Sequence, residues 1–334
     1  MKTMKRFAIL GDGAWGTAVA LLLAAKPQHR VALWSAREEN GRLLQQRREN
    51  VHLLPGVPIP KHIKLTTDIE DAVCDADLWV VAIPTIYLRP TLKRVAPALQ
   101  DPVPVLSLVK GLEAETFQRP SEIINQVIGK RSIAVLSGPS HAEEVSRGLP
   151  TTVVVASADA ELCEAVQHAI RSDRFRVYTN LDVIGVELAG ALKNIVGIAA
   201  GICDGLGFGD NSKAALLTRG LVEMARFGTA LGAEYETFFG LAGLGDLITT
   251  CQSRHGRNRY VGEKLAQGMK LPEILASTKM IAEGVNTTRS VYERARKMGV
   301  SMPITTEVYR ILYEGKDPLQ AVQELMAREP RSEM

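Results

Sequence analysis

A change of rhythm near residue 180 constrains the fold of this chain more than any other feature. Before it, short β-rich apolar runs alternate with helix-period stretches. The runs cover 7–10, 31–34, 78–83, 105–109, 133–136 and 152–156, and a shorter one at 175–178 closes the series. They are nearly continuous in apolar character, as strands covered on both faces are. Helical patterns at 14–25, 86–99 and 160–171 fall between them, so the pattern predicts βαβ units and a doubly wound, mostly parallel sheet of Rossmann-like type. After about residue 180 strand-like runs cease. Helix-period segments follow at 183–203, 211–232, 234–240, 258–268, 272–276, 286–299, 304–314 and 317–328. At 334 residues the chain exceeds one ordinary core, so we expect an α/β domain over 1–181 and an all-α domain over 182–334.

Composition removes several function classes. The hydrophobic fraction of 46% and charged fraction of 23% are those of a globular protein. A net charge of +3, with no Lys/Arg block interleaved with aromatics, argues against nucleic acid as a partner. Cys74, Cys163, Cys203 and Cys251 are dispersed, so no metal site is expected and a reducing cytoplasm fits. The start of the chain lacks a signal pattern. The most apolar window, 188–203, is short and contains Lys193 and Asn194, so it reads as a core helix and not as membrane insertion.

Gly11-Asp12-Gly13-Ala14-Trp15-Gly16 follows the first strand directly and opens a helix. In that context the first glycine makes a tight turn and the second admits a pyrophosphate. The third lets helix and strand pack closely, with phosphate at the helix N-terminus. Gly205-x-Gly207-x-Gly209 has no strand before it and is expected to be a loop. The second strand ends Trp34-Ser35-Ala36-Arg37 without an acid, and arginine there accommodates a 2′-phosphate, so NADP should be accepted alongside NAD and NADPH favoured. The alternative makes Arg37 simply the first solvated residue of a loop.

Four polar groups are candidates for chemistry: Lys110-Gly111-Leu112-Glu113, Ser137-Gly138-Pro139-Ser140-His141-Ala142, Lys193-Asn194, and Gly243 to Thr250 followed by Arg254 to Arg259. The first two follow strands at the carboxyl edge of the sheet, where α/β proteins bind ligands. The guanidinium-rich last stretch suits a phosphate. Each has a plainer reading: Lys110 as a strand-end lysine, Asp246 as a helix cap, 254–259 as an exposed basic turn, His141 as a packed histidine. Lys193 is different, because apolar residues flank it on both sides. It must find a partner or lower its pKa, and Glu187, six residues back, is not placed to neutralise it.

In their order and spacing these motifs resemble the NAD(P)-dependent glycerol-3-phosphate dehydrogenases, most closely the bacterial soluble type. Arg257-Asn258-Arg259, Ala282 to Thr287 and Met302 to Thr305 extend the resemblance, which covers residues 5–328. It implies reversible reduction of dihydroxyacetone phosphate to sn-glycerol 3-phosphate, a precursor for phospholipid biosynthesis. It also implies catalytic roles for Lys193, Lys110 and Asp246, with Lys193 as general acid/base. Gly11, Gly13, Ala14, Trp15, Gly16, Arg37, Lys110, Ala142, Arg257, Ile281 and Glu283 would then contact the cofactor. Lys110, Gly138, Ser140, Lys193, Asn194, Asp246, Gly256, Arg257 and Asn258 would contact substrate. His141 stands in place of a usual phenylalanine, and Ala14 and Gly256 in place of common serines. Asp12 sets a carboxylate inside the phosphate turn and should point outward. A homodimer is expected, with the apolar helices after 183 packed between subunits. A β-hydroxyacid dehydrogenase shares the general layout but has no use for 256–258, and a non-catalytic dinucleotide sensor would use the lysines only to bind.

Overall fold

The computed structural model describes residues 4–253, 256–278, 281–330 and 332. Ten strands occupy the first half: β1 (Arg6–Leu10), β2 (Arg30–Trp34), β3 (Glu49–Asn50), β4 (Leu54–Pro58), β5 (Lys64–Thr66), β6 (Leu78–Val81), β7 (Val105–Ser107), β8 (Ile133–Ser137), β9 (Thr151–Ser157) and β10 (Phe175–Asn180). Interleaved with them are α1 (Ala14–Ala24), α2 (Glu38–Arg47), α3 (Ile69–Val73), α4 (Thr85–Val95), α5 (Pro120–Ile128), α6 (Ala142–Val145) and α7 (Ala160–Ile170). The main sheet has the order β10-β9-β8-β7-β6-β1-β2-β5, and β3 pairs with β4 apart from it. All neighbours in the main sheet are parallel except β8 and β9, which run antiparallel. The chain proceeds from β1 to β2 and β5 on one side, then returns to β6, β7 and β8 on the other. The crevice between β1 and β6 is therefore the topological switch point, where such sheets bind ligands.

Alternate residues of β1 feed two cores. Phe7 and Ile9 join α1 and α7 on one face, while Ala8 and Leu10 face the other. The second core is continuous with the helical half, because α8 (Val183–Gly205) lies against β8 and β9. This helix is long and apolar enough to cross a membrane, yet 89% of its most apolar window is buried inside the protein. Each fully buried Leu or Ile along it contributes about 1.5–3 kcal/mol relative to exposure. The remaining helices are α9 (Asp210–Ala230), α10 (Asp246–Gln252), α11 (Arg257–Ala266), α12 (Leu271–Ala276), α13 (Glu283–Met298), α14 (Pro303–Tyr313) and α15 (Pro318–Met326).

Three local expectations need correction. The strand expected over 105–109 stops at Ser107, which leaves Val109 and Lys110 in the irregular segment at its carboxyl end. The segment 234–240 is a 3-10 turn over Tyr235–Phe239, followed by a π turn over Leu241–Gly245. Gly205 belongs to the end of α8, so only the residues after it form the loop. Elsewhere α8 crosses α11 at backbone contact: a Cβ on Gly201 would stand 1.9 Å from the Arg259 carbonyl oxygen, and one on Gly262 1.9 Å from that of Ile198.

Candidate active site

The phosphate turn has the expected shape. Gly11 has φ +121°, a conformation that L side chains avoid, and a Cβ there would meet the Ala82 carbonyl oxygen at 2.8 Å. A Cβ on Gly16 would lie 2.1 Å from the Gly11 carbonyl oxygen, so helix α1 can approach β1 only with glycine at that position. Gly13 is the N-cap of α1, and neither a capping side chain nor an acid in the first turn occupies the helix start. The first-turn N–H groups thus form an anion site with open space around Gly13. Ala14 is buried behind this turn. The Trp15 Nε1 and the Ser137 hydroxyl, both buried, have no hydrogen-bond partner among the described residues. An uncapped helix start and an open glycine turn with room for a pyrophosphate fit a dinucleotide.

At the other end of the crevice, Lys110, Lys193 and Asp246 converge from three elements. Lys110 follows β7, Lys193 sits in the middle of α8, and Asp246 is the first residue of α10, positioned by the π turn before it. Lys193 Nζ donates to Asp246 Oδ1 at 2.6 Å and to Thr250 Oγ1 at 2.7 Å. Lys110 Nζ donates to Asp246 Oδ2 at 2.8 Å and to the Gly138 carbonyl oxygen at 2.9 Å, with the Ser140 hydroxyl 3.4 Å away. Gly138 has φ +120°, which turns that carbonyl toward Lys110, and Ser140 Oγ also donates to it at 2.9 Å.

The lysine in the apolar helix has done both things available to it. It has a partner in Asp246, and burial still pulls its ammonium down to about 8, with Lys110 acting in the same sense and Asp246 opposing. For Asp246, burial works against the charge, but the two lysines outweigh it and hold the carboxyl below its ordinary range. One carboxylate against two ammoniums leaves a local excess of positive charge, suited to an anionic ligand.

An asparagine relay ties this cluster to the later helices. Asn194 Nδ2 donates to the Lys110 carbonyl oxygen at 3.2 Å, and its Oδ1 accepts from Asn258 Nδ2 at 2.9 Å. Asn258 Oδ1 in turn accepts from the Gly284 N–H at 2.9 Å. Gly256 is the N-cap of α11, and Arg257, its first residue, is exposed with Nη1 3.4 Å from the Ile281 carbonyl oxygen. Glu283, at the start of α13, accepts from the Thr85 N–H at 2.8 Å. Burial pushes its carboxyl up to about 7 against the Thr85 N–H and Arg257. Ala142 is buried as the first residue of α6, and His141 is its N-cap. Arg37 stands apart from the lysine cluster, exposed, with its guanidinium 5.9 Å from the Tyr87 ring. Arg254, part of the expected basic stretch, lies outside the described residues.

Two contacts were not anticipated. Thr250, the second partner of Lys193, follows Asp246 by four residues, so the i,i+4 spacing already places both on one helix face. Asp12 does not point outward: its Oδ2 accepts from the Ser35 hydroxyl at 2.6 Å. Glu187 is unconnected to Lys193, and its carboxyl accepts instead from Arg119 Nη1 and from the Ser121 N–H and hydroxyl. Of the glycines near Lys193, Gly190 faces Ser137 and Lys110 in the sheet half. Gly197 and Gly201 face α10 and α11 within the helical half, so only Gly190 lets α8 approach the sheet half closely.

Comparison with known proteins gives the family. The family model described as NAD-dependent glycerol-3-phosphate dehydrogenase N-terminus matches residues 6–163, and its C-terminus counterpart matches 182–323. A protein of Chlorobium phaeobacteroides (strain BS1) named glycerol-3-phosphate dehydrogenase [NAD(P)+] is 48% identical, over 98% of this chain and 99% of its own. One of the same name from Geobacillus thermodenitrificans is 49% identical, over 99% of this chain and 97% of its own. The crystal structure of glycerol-3-phosphate dehydrogenase from Coxiella burnetii superposes with a TM-score of 0.93 at 40% identity, covering 98% of this chain and all of that one. With both halves matched in order and relatives alike over nearly their full length, the chain belongs to the NAD-dependent glycerol-3-phosphate dehydrogenase family.

Proposed function

We infer that this protein is an oxidoreductase that reversibly reduces dihydroxyacetone phosphate to sn-glycerol 3-phosphate with NADH or NADPH. The observation that carries the reading is the cluster of buried Lys193 and Asp246 with half-buried Lys110, at the same carboxyl edge of the sheet on which the dinucleotide turn follows β1. The nicotinamide, when bound, supplies a hydride to the C2 carbonyl of the substrate. Lys193 gives its ammonium proton to the developing C2 alkoxide, and an amine poised at about 8 can both donate and recover a proton near neutral pH. Lys110 holds and polarises that oxygen, Asn194 braces Lys110 through its carbonyl, and Asp246 and Thr250 fix the direction of the Lys193 amine. Gly138, Ser140, Gly256, Arg257 and Asn258 hold the substrate, with Arg257 on its phosphate. The cofactor contacts would be Gly11, Gly13, Ala14, Trp15, Gly16, Arg37, Lys110, Ala142, Arg257, Ile281 and Glu283.

This reading divides the chain at 181/182 and places it in the cytoplasm, in keeping with four free cysteines. The product would supply glycerophospholipid synthesis. It also includes a homodimer, since α9 leaves Leu216 and Leu217 only half-buried, and light scattering of the purified protein tests that part. The activity itself is tested by following NADPH and NADH absorbance with dihydroxyacetone phosphate present. Rapid oxidation is expected. Oxidation only with 3-keto acids would point to a β-hydroxyacid dehydrogenase, and binding without turnover to a sensor.

A further inference from the structure

Residue 12 lies within the phosphate turn, where a carboxylate is a poor neighbour for a pyrophosphate. Simple electrostatics would send it into solvent. Instead the Asp12 side chain reaches the end of β2, where Oδ2 accepts from the buried Ser35 hydroxyl at 2.6 Å. The Ser35 Oγ also lies 3.0 Å from the Arg37 carbonyl oxygen. The backbone of residue 12 is held as well, since Asn50 Nδ2 donates to its carbonyl oxygen at 2.8 Å and to Thr17 Oγ1 at 3.0 Å. The preceding Gly11 N–H donates to the Trp34 carbonyl oxygen at 3.2 Å, which fastens the turn to β2. Burial pushes the Asp12 carboxyl above its ordinary value, opposed by the Ser35 hydroxyl and by the charge of Arg37.

The carboxyl end of the second strand is where a dinucleotide fold reads the adenosine ribose. An acid there binds the ribose hydroxyls, whereas an arginine takes a 2′-phosphate. The strand end Trp34-Ser35-Ala36-Arg37 contributes only the arginine. The structure brings the acid from elsewhere, out of the turn after β1, so both determinants stand at the same strand end.

We propose that Asp12, held in place by Ser35, is a specificity residue that sets the balance between NADH and NADPH. Its carboxylate receives the ribose hydroxyls and opposes the 2′-phosphate that Arg37 attracts. The chain therefore accepts both cofactors, and the NADPH preference expected from Arg37 alone is moderated. This inference rests on the dinucleotide-dependent reading above.

The test is calorimetric binding of ADP and of 2′-phosphorylated ADP to the wild type, Asp12→Asn, Asp12→Ala and Ser35→Ala, with KM for NADH and NADPH measured alongside. Asparagine keeps the shape and removes the charge, so Asp12→Asn should tighten 2′-phosphorylated ADP relative to ADP by roughly tenfold. Ser35→Ala, which releases the carboxylate without removing it, should move the ratio in the same direction by less. Asp12→Ala should resemble Asp12→Asn for the phosphorylated fragment and should weaken ADP. An unchanged ratio in Asp12→Asn, or equal weakening of both fragments as loss of a turn support would give, overturns the proposal. A folded wild type that binds neither fragment would overturn the dinucleotide reading itself, and this inference with it.

Discussion

Replacing Asp246 with asparagine should shift the pH dependence of catalysis before anything else. Asp246 serves two ammoniums at once, Lys193 at 2.6 Å and Lys110 at 2.8 Å. Asparagine keeps the outline and one acceptor oxygen but removes the charge. An ion pair about 4 Å apart is worth about 1 kcal/mol in water and about 4 kcal/mol at an effective dielectric of about 20. For Lys193 an intermediate loss of about 2 kcal/mol corresponds to about 1.5 pH units. Its amine, now at about 8, should then titrate between about 6 and 7. In the proposed mechanism reduction needs the ammonium, so the alkaline limb of kcat for ketone reduction should move down by that amount. Oxidation of the alcohol needs the free amine, so its acidic limb should move down as well. The assay is NADPH absorbance at saturating substrate from about pH 5.5 to 9.5, with near-ultraviolet circular dichroism to confirm the fold. A limb that stays at about 8, or moves upward, would refute the claim that the Asp246 charge sets the Lys193 proton affinity.

Other perturbations probe separate parts of the account. Glu223 is buried and accepts from the Ile304 and Thr305 N–H groups at the start of α14, yet burial pushes its carboxyl up to about 7. A raised folded-state value means its favourable contribution is complete below about 4.5 and is lost as pH rises through about 7. Denaturant melts of Glu223→Gln at pH 5 and pH 8 should therefore differ less than those of the wild type, by up to about 3 kcal/mol. Gly262→Ala would put a methyl group 1.9 Å from the Ile198 carbonyl oxygen, forcing α8 and α11 apart. Thermal unfolding should show a loss of about 3 kcal/mol or more, and an unchanged Tm would contradict the close crossing. Arg37→Ala should lower kcat/KM for NADPH more than for NADH; an unaltered ratio would remove Arg37 from the cofactor site.

Much of this was legible in the residues, and the exceptions have physical causes. The strands covered on both faces announce themselves as apolar runs, since every position on β6 is buried. Their direction is not written in them, so the reversal of β9 against β8 could be seen only in three dimensions. Strand β5 is three residues long at the sheet edge with Lys64 exposed, and the β3/β4 pair carries Pro55, Gly56 and Pro58, so neither gives a strand signal. Lys193 was conspicuous because a charge in an apolar helix needs an explanation. Thr250 could have been found from its spacing to Asp246. The Asp12–Ser35 contact could not, because it depends on β1 and β2 lying side by side. The spacing rightly kept Glu187 from Lys193, but its buried partner Arg119 lies 68 residues away, a pairing that no local pattern encodes.

The central claim is that Lys193 delivers the proton. Single-turnover oxidation of NADPH by Lys193→Ala, with dihydroxyacetone phosphate in excess and small primary amines added in increasing concentration, tests it most directly. The account predicts a rate lower by roughly 10²–10⁴ with NADPH affinity largely kept, and partial recovery that follows the basicity of the added amine. Full turnover in the variant without any amine would contradict it.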